Sequence, residues 1–192
     1  GVDRNKEALA LADKRVHHPN KRMILADASD TGLPAESATK VYGEAMLTMQ
    51  SKLQKKAIVQ EAARVLKPGG YYGLHELSLY PDDVSEEIKR ALYRDLNLHI
   101  KVSARPLTTK EWTELLESEG FQIVSVAHNP MYLLEFKRMI QDEGLPRTLK
   151  IAFNLLTHPR YLKCVKQMRA TFRRYYSNMQ AIAIVARKKH EI

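Results

Sequence analysis

The stretch Arg64-Val65-Leu66-Lys67-Pro68-Gly69-Gly70 decides how this chain is built. Before it, apolar residues recur at helical spacing from position 53 onward, and the proline with its two glycines is expected to end that helix. After it, the apolar run Tyr71-Tyr72-Gly73-Leu74-His75 is typical of a buried strand. The stretch therefore predicts a helix followed directly by a strand, which is the repeating unit of α/β proteins.

Strands and helices alternate in both directions from this point. Short apolar runs bounded by turn residues predict strands at residues 1–3, 23–26, 41–47, 71–77, 121–126 and 181–186. Helix-capping residues followed by apolar residues three or four apart predict helices after Asn5, Ser51 and Thr108, and apolar residues spaced by four predict another after Asp82-Asp83. Ser51 with Gln54, and Thr108 with Glu111, are candidate capping boxes. This alternation implies a parallel sheet.

Length and composition limit the possible classes of protein. The chain has 192 residues, 44% of them hydrophobic, which suits one buried core with an appendage. We expect a cytoplasmic protein, since the sequence shows neither a bilayer-length apolar run nor a secretory leader. Cys164 is the only cysteine and has no neighbouring ligand pattern, so we expect no internal disulfide and no metal site.

A set of motifs occurs in a particular order along the chain. They are Asp3 at the end of a strand, Asp27-Ala28 after the next strand, the Leu33-Pro34 loop, the segment from Glu61 to Gly70, Arg105-Pro106-Leu107-Thr108 before a helix, and Gly120-Phe121 at the end of that helix. In this order the chain resembles a class I S-adenosylmethionine-dependent methyltransferase from its second strand onward. The likeness is greatest to the small-molecule branch, such as enzymes of ubiquinone and menaquinone biosynthesis. It implies a Rossmann-like α/β fold: a mostly parallel sheet with an antiparallel last strand, helices on both faces and a helical lid inserted before that strand.

The resemblance also implies that the first two acidic residues contact the nucleoside of S-adenosylmethionine. Open α/β sheets bind ligands at the carboxyl ends of their strands, where both residues are predicted. Asp3 is expected to accept hydrogen bonds from the ribose hydroxyls, with Arg4 along the adenosine rim. Asp27 is expected to accept from the adenine amino group, while the Ala28 backbone N–H donates to a ring nitrogen. The alternatives are a helix-dipole role for Asp3 and an Asx-turn at Asp27.

The methionine part of the cofactor is expected next to Glu44, Ala45 and Met46, at the end of the following strand. The resemblance further implies that a first strand with a glycine-rich loop would precede Gly1. A chain without that strand leaves two strand edges unpaired, so we expect the natural protein to be longer, with a truncated N-terminus here.

The resemblance divides the chain into a core at residues 1–128, a lid at 129–178, and a last strand with tail at 179–192. Charge is uneven between these parts. Residues 1–128 balance 18 Lys and Arg with 18 Asp and Glu, whereas residues 129–192 hold 13 against 4. The basic lid has three interpretations: a solvated helix face, contact with an anionic or amphiphilic acceptor or an acidic membrane surface, or nucleic-acid binding. Nucleic acid is disfavoured because no recognised binding motif accompanies the charge.

No catalytic residue is assigned from the sequence. Methyl transfer depends largely on alignment of donor and acceptor, and a base is needed only where the acceptor must lose a proton. The candidate bases are His75, Glu76, His99 and His128. Two other functions remain open: an NAD(P)-dependent oxidoreductase, whose ribose contact Asp3 also fits, and a non-catalytic relative that binds a partner through the lid.

Overall fold

The computed structural model describes residues 1–100, 103–130, 140–141 and 143–190, with only the backbone at positions 99 and 100. The strands are β1 (Val2–Asp3), β2 (Ile24–Leu25), β3 (Ala38–Glu44), β4 (Leu66–Leu79), β5 (Leu107–Thr108), β6 (Phe121–Pro130) and β7 (Met179–Lys188). The α-helices are α1 (Lys6–Arg15), α2 (Lys52–Val65), α3 (Glu86–Ile100), α4 (Thr109–Ser118), α5 (Leu145–Thr157) and α6 (Pro159–Arg174), and Leu47–Met49 is a 3₁₀ turn.

The strands form two separate sheets. β1 pairs with β2 in parallel, and the larger sheet has the order β3-β4-β7-β6 with β5 beside the end of β4. β3 and β5 run parallel to β4, whereas β7 lies antiparallel between β4 and β6. Within the described residues, no ladder joins β1 to β3. The predicted α/β class and the antiparallel last strand are confirmed.

The hydrophobic core lies on the larger sheet. Leu74 of β4 and Ile184 of β7 pack with residues of α2 and with Trp112 of α4. A second cluster packs α3 against Phe172 of α6 and Tyr175 just beyond it. In the part of the chain that the structure describes, no helix is both long and apolar enough to cross a membrane.

The connection between α2 and β4, at residues 64–70, differs from the one that the sequence predicted. Helix α2 ends at Val65, and the backbone is already extended at Leu66, which pairs with Ala38. The pairing then shifts, and it resumes where Tyr71 lies opposite Lys40. The four residues between Leu66 and Tyr71 therefore bulge out of β4 instead of preceding it.

The sequence predicted strand β3 at residues 41–47, three residues further along the chain than its observed position, Ala38–Glu44. It ends at Glu44, because Ala45 adopts a left-handed backbone with φ of 51° and the 3₁₀ turn starts at Leu47. The capping predictions agree better with the structure. Asn5 and Ser51 cap α1 and α2, and Thr108 forms a full capping box with Glu111 at the start of α4.

Candidate functional site

All seven residues predicted to bind the cofactor line one cleft of about 510 Å³. They are Asp3, Arg4, Asp27, Ala28, Glu44, Ala45 and Met46. Strands β1, β2 and β3 end at this cleft, which explains why residues distant in sequence meet there. The volume lies within the usual range for small-molecule sites.

Asp3 is the last residue of β1 and lies on one wall of the cleft. Its Oδ1 accepts a hydrogen bond from the backbone N–H of Asn5 at 2.7 Å, and Asn5 in turn caps helix α1. The backbone N–H of Ala26 donates to the Asp3 carbonyl at 3.2 Å. The turn into α1 therefore orients the carboxylate, and the β1–β2 pairing places Asp3 beside Leu25, two residues before Asp27.

Asp27 forms the Asx-turn that the sequence offered as an alternative. Its Oδ1 accepts from the backbone N–H of Ser29 at 2.9 Å and from the Ser29 hydroxyl at 2.6 Å. Gln54 of α2 also donates its side-chain N–H to this oxygen at 3.4 Å. The hydrogen bonds from Ser29 lower the pKa of the Asp27 carboxyl below its ordinary value. All three bonds that the structure describes use Oδ1, so the second oxygen is the one placed to meet a ligand.

The loop that follows Asp27 is anchored by hydrogen bonds to helix α2. The Glu61 carboxylate accepts from both the backbone N–H and the hydroxyl of Thr31. Arg64 holds Glu61 with two hydrogen bonds, at 2.7 and 2.8 Å, and donates to the Leu33 carbonyl at 2.7 Å. Arg64 lowers the pKa of Glu61 to about 2. The segment from Glu61 to Arg64 therefore supports the cleft through this loop, without lining the cleft itself.

Another wall of the cleft is formed by Ala45, Met46, Met49 and Gln50, and Glu76 of β4 holds the loop that carries them in place. The Glu76 carboxylate is buried and accepts from the backbone N–H groups of Met46, Leu47 and Thr48 at 2.9, 2.7 and 3.0 Å. The Thr48 hydroxyl adds a fourth bond at 2.7 Å. The Ala45 N–H donates to the His75 carbonyl at 2.8 Å. One side chain thus fixes the loop that carries Met46 into the cleft.

A buried lysine closes the other end of the same loop. The Lys55 ammonium donates to the carbonyl oxygens of Gln50 at 2.9 Å and Arg105 at 2.8 Å, and lies 5.8 Å from the Trp112 ring centre. Burial lowers the pKa of Lys55 to about 8, a shift opposed by the charge of Glu76. The Arg105 N–H donates to the Thr48 carbonyl at 2.8 Å, so the Arg105 motif also supports the cleft wall.

The cleft is acidic although the chain is basic. Asp3, Asp27 and Glu44 line it together with a single charged base, Arg4, among the described residues. The whole chain carries a net charge of +9. A site that collects carboxylates in such a protein is electrostatically suited to a cationic ligand.

None of the candidate bases lines the cleft in the described part of the chain. His75 is exposed and lies 3.4 Å from Glu44, while His128 on β6 is exposed and contacts the Thr109 hydroxyl. Glu76 is committed to the loop it holds. The side chain of His99 lies outside the described residues. No described residue from 129–178 lines the cleft either.

The sequence did not single out several of the residues that build this site. Gln50, Ile58 and Ser103 also line the cleft. Gln54 was noticed only as part of a capping box, yet it bridges Asp27 and the Ser29 hydroxyl. The position of Gln54 in the first turn of α2 was the only sequence signal for this role, because the neighbouring residues do not indicate which loop that turn faces.

The sequence matches known proteins at two levels. Residues 1–74 match the family profile described as a methyltransferase domain. The chain is also 32% identical over 192 residues to an uncharacterized protein of Haemophilus influenzae, and the alignment covers 98% of this chain and 74% of that protein.

Solved structures show the same fold. The [4+2]-cyclase SpnF superimposes with a TM-score of 0.72 at 16% identity, over 100% of this chain and 66% of the cyclase. Phosphoethanolamine N-methyltransferase 2 of Haemonchus contortus, in complex with S-adenosyl-L-methionine, gives 0.66 at 18% identity, over 99% of this chain and 43% of that enzyme. This chain therefore belongs to one family with the Haemophilus influenzae protein, and its residues 1–74 match a methyltransferase domain.

Proposed function

We propose that the protein is an S-adenosylmethionine-dependent methyltransferase that acts on a small-molecule acceptor. One observation carries the proposal: Asp3 ends β1, Asp27 lies two residues beyond the end of the parallel strand β2, and both line one cleft together with the loop after β3. Two carboxylates at neighbouring strand ends suit a nucleoside, which offers a pair of ribose hydroxyls and an exocyclic amine.

Each residue has a role that its local structure supports. Asp3, oriented by the Asn5 N–H, would accept from the ribose hydroxyls, with Arg4 beside them. Asp27 would accept from the adenine amino group through the oxygen not used by Ser29, next to the Ala28 N–H. Glu44, Ala45 and Met46 would face the amino-acid end. When bound, the cofactor supplies a methyl group activated on a positively charged sulfur.

The charge of the cleft favours this cofactor over a nicotinamide dinucleotide. A dinucleotide carries an anionic pyrophosphate, which sites of this type bind with helix N-termini and glycine-rich turns. Three carboxylates and one guanidinium line the cleft within the described residues, so a sulfonium is attracted and a pyrophosphate is repelled. A cleft of about 510 Å³ also suits a nucleoside-sized ligand.

Calorimetric titration of the natural protein with S-adenosylmethionine, S-adenosylhomocysteine and NAD⁺ tests the proposal. We expect both sulfur nucleosides to bind and NAD⁺ to bind far more weakly. Asp3→Asn and Asp27→Asn should each weaken binding roughly tenfold, because each removes a charged acceptor. Asp83→Asn, at an exposed site away from the cleft, is the matched control.

Two outcomes would contradict the proposal. Binding of NAD⁺ in preference to S-adenosylmethionine would favour an oxidoreductase. Absence of binding by any nucleoside would favour a non-catalytic binding protein. If the cofactor binds, methyl transfer to small-molecule pools, followed by mass spectrometry of the products, would identify the acceptor class.

A further inference from the structure

Helix α5 exposes a continuous apolar stripe. Leu145, Leu149, Phe153 and Leu156 are 54%, 56%, 66% and 72% exposed. Their spacing of four, four and three residues places them on one side of the helix. Four large apolar side chains at this exposure form a patch along the whole helix, which differs from the scattered apolar residues of an ordinary surface.

The stripe is separate from the face by which α5 joins the protein. Thr148 is fully buried, and Ile151, Ala152 and Leu155 are half-buried. These residues lie on the side of the helix next to the stripe at the helical repeat of 100° per residue. Helix α5 therefore has one apolar face packed against its neighbours and a second that faces solvent.

Positive charge accompanies the stripe. Helices α5 and α6 together contain eight Lys and Arg residues and no Asp or Glu. Lys150 is exposed on α5 itself, where Arg147 pairs with Glu143 at 3.1 Å, and Lys163 and Lys166 are exposed on α6. An apolar face bordered by basic side chains is typical of helices that lie in the interface of a lipid bilayer.

We propose that the α5 stripe docks on the surface of a membrane that contains anionic lipid. The leucines and Phe153 enter the interfacial region, while the basic residues meet the lipid phosphates. Charge complementarity selects this occupant over two others. Docking of a second copy of the chain would bring two strongly basic surfaces face to face. A nucleic acid would match the charge but leave the leucines without an apolar partner. The surface is distinct from the cofactor cleft, so the inference goes beyond the proposed function.

Vesicle sedimentation of the purified protein tests this inference. We expect binding to vesicles of phosphatidylcholine with phosphatidylglycerol, much weaker binding to phosphatidylcholine alone, and a decrease with added salt. The double variant Leu149→Ser with Phe153→Ser should weaken binding by roughly tenfold or more, because each change removes a large apolar group from the lipid contact. Leu53→Ser is the control, since Leu53 is 82% exposed on α2.

A charge variant separates the two contributions. Lys150→Glu with Lys163→Glu should abolish the preference for phosphatidylglycerol, whereas Lys14→Glu with Lys40→Glu, also exposed, should keep most of it. Unfolding curves establish that every variant is folded. The inference is wrong if folded stripe variants bind vesicles as the unchanged protein does, or if anionic vesicles are not bound. It is equally wrong if the stripe variants instead abolish self-association in sedimentation velocity or retention of single-stranded RNA.

Discussion

Glu76 holds one wall of the candidate cleft in place. Its two carboxylate oxygens accept four hydrogen bonds from Met46, Leu47 and Thr48, and three of the donors are backbone N–H groups. A buried carboxylate is costly unless each lone pair is satisfied, and here the loop satisfies it. Glu76 therefore acts through the loop, as a positioning residue.

Replacement of Glu76 by Gln should loosen this wall of the cleft. The amide keeps the length of the side chain, but its NH₂ group faces backbone donors and loses acceptor capacity. We expect a loss of about 1–3 kcal/mol in the free energy of unfolding. We also expect weaker S-adenosylmethionine binding, measured by urea unfolding and calorimetry. Glu117→Gln, on the exposed side of α4, is the control. Cofactor affinity equal to that of the control would refute the positioning role.

Single residues differ in how well the sequence predicts their roles. The meeting of Asp3 and Asp27 at one cleft was predicted because each lies at the carboxyl end of a strand, a position that reports its place in an α/β sheet. The role of Glu76 was not predicted, because its donors lie about thirty positions earlier in the chain. In the sequence, Lys55 resembles an ordinary solvated lysine of a helix. In the fold, the packing of α2 on Trp112 buries it.

At the scale of elements, helix type and capping were predicted better than strand limits. The Thr108 capping box depends on residues three apart, so local sequence specifies it. The end of β3 depends on hydrogen bonds accepted by the Glu76 carboxylate and by the His75 carbonyl, and both acceptors lie on another strand. The bulge after Leu66 likewise requires pairing with Ala38. Contacts between residues distant in sequence set these limits, and apolar periodicity alone does not predict such contacts.

The link between α2 and the loop after Asp27 should depend on pH. The pKa of Glu61 is about 2 in the folded protein, below its ordinary value of 4.5. Its stabilising contribution is therefore fully present above pH 4.5 and is lost as the pH falls towards 2.

Urea unfolding at several pH values measures that contribution as the difference between the unchanged protein and Glu61→Gln. We expect about 1–2 kcal/mol at neutral pH and a difference that shrinks steadily below pH 4.5. Glu87→Gln, exposed on α3, should show no such trend. A difference that stays constant between neutral pH and pH 2 would mean that the contribution of Glu61 does not come from its charge, and that Arg64 does not depend on that charge.

At the scale of the whole molecule, the cleft lies between two unequal bodies of structure. The larger sheet carries the core, whereas residues 1–26, all of them described, contain Leu9 as their one buried hydrophobic residue. The smaller sheet relies on short strands and on bonds such as Ile24 N–H to Gly1 and Ala26 N–H to Asp3. Its stability against local opening should therefore be lower than that of β4 and β7.

A ligand that contacts Asp3 on one body and Met46 on the other should couple their stabilities. In hydrogen exchange, we expect the amides of Ile24 and Ala26 to exchange much faster than those of β7 in the free protein. S-adenosylmethionine at about 100 times its dissociation constant should slow them by up to roughly 100-fold, since binding selects the closed form. The amides of β6 provide the internal control, because they lie away from the cleft. If the cofactor instead protects β6 and leaves Ile24 unchanged, the ligand does not bridge Asp3 and Met46, and the cofactor site must lie elsewhere.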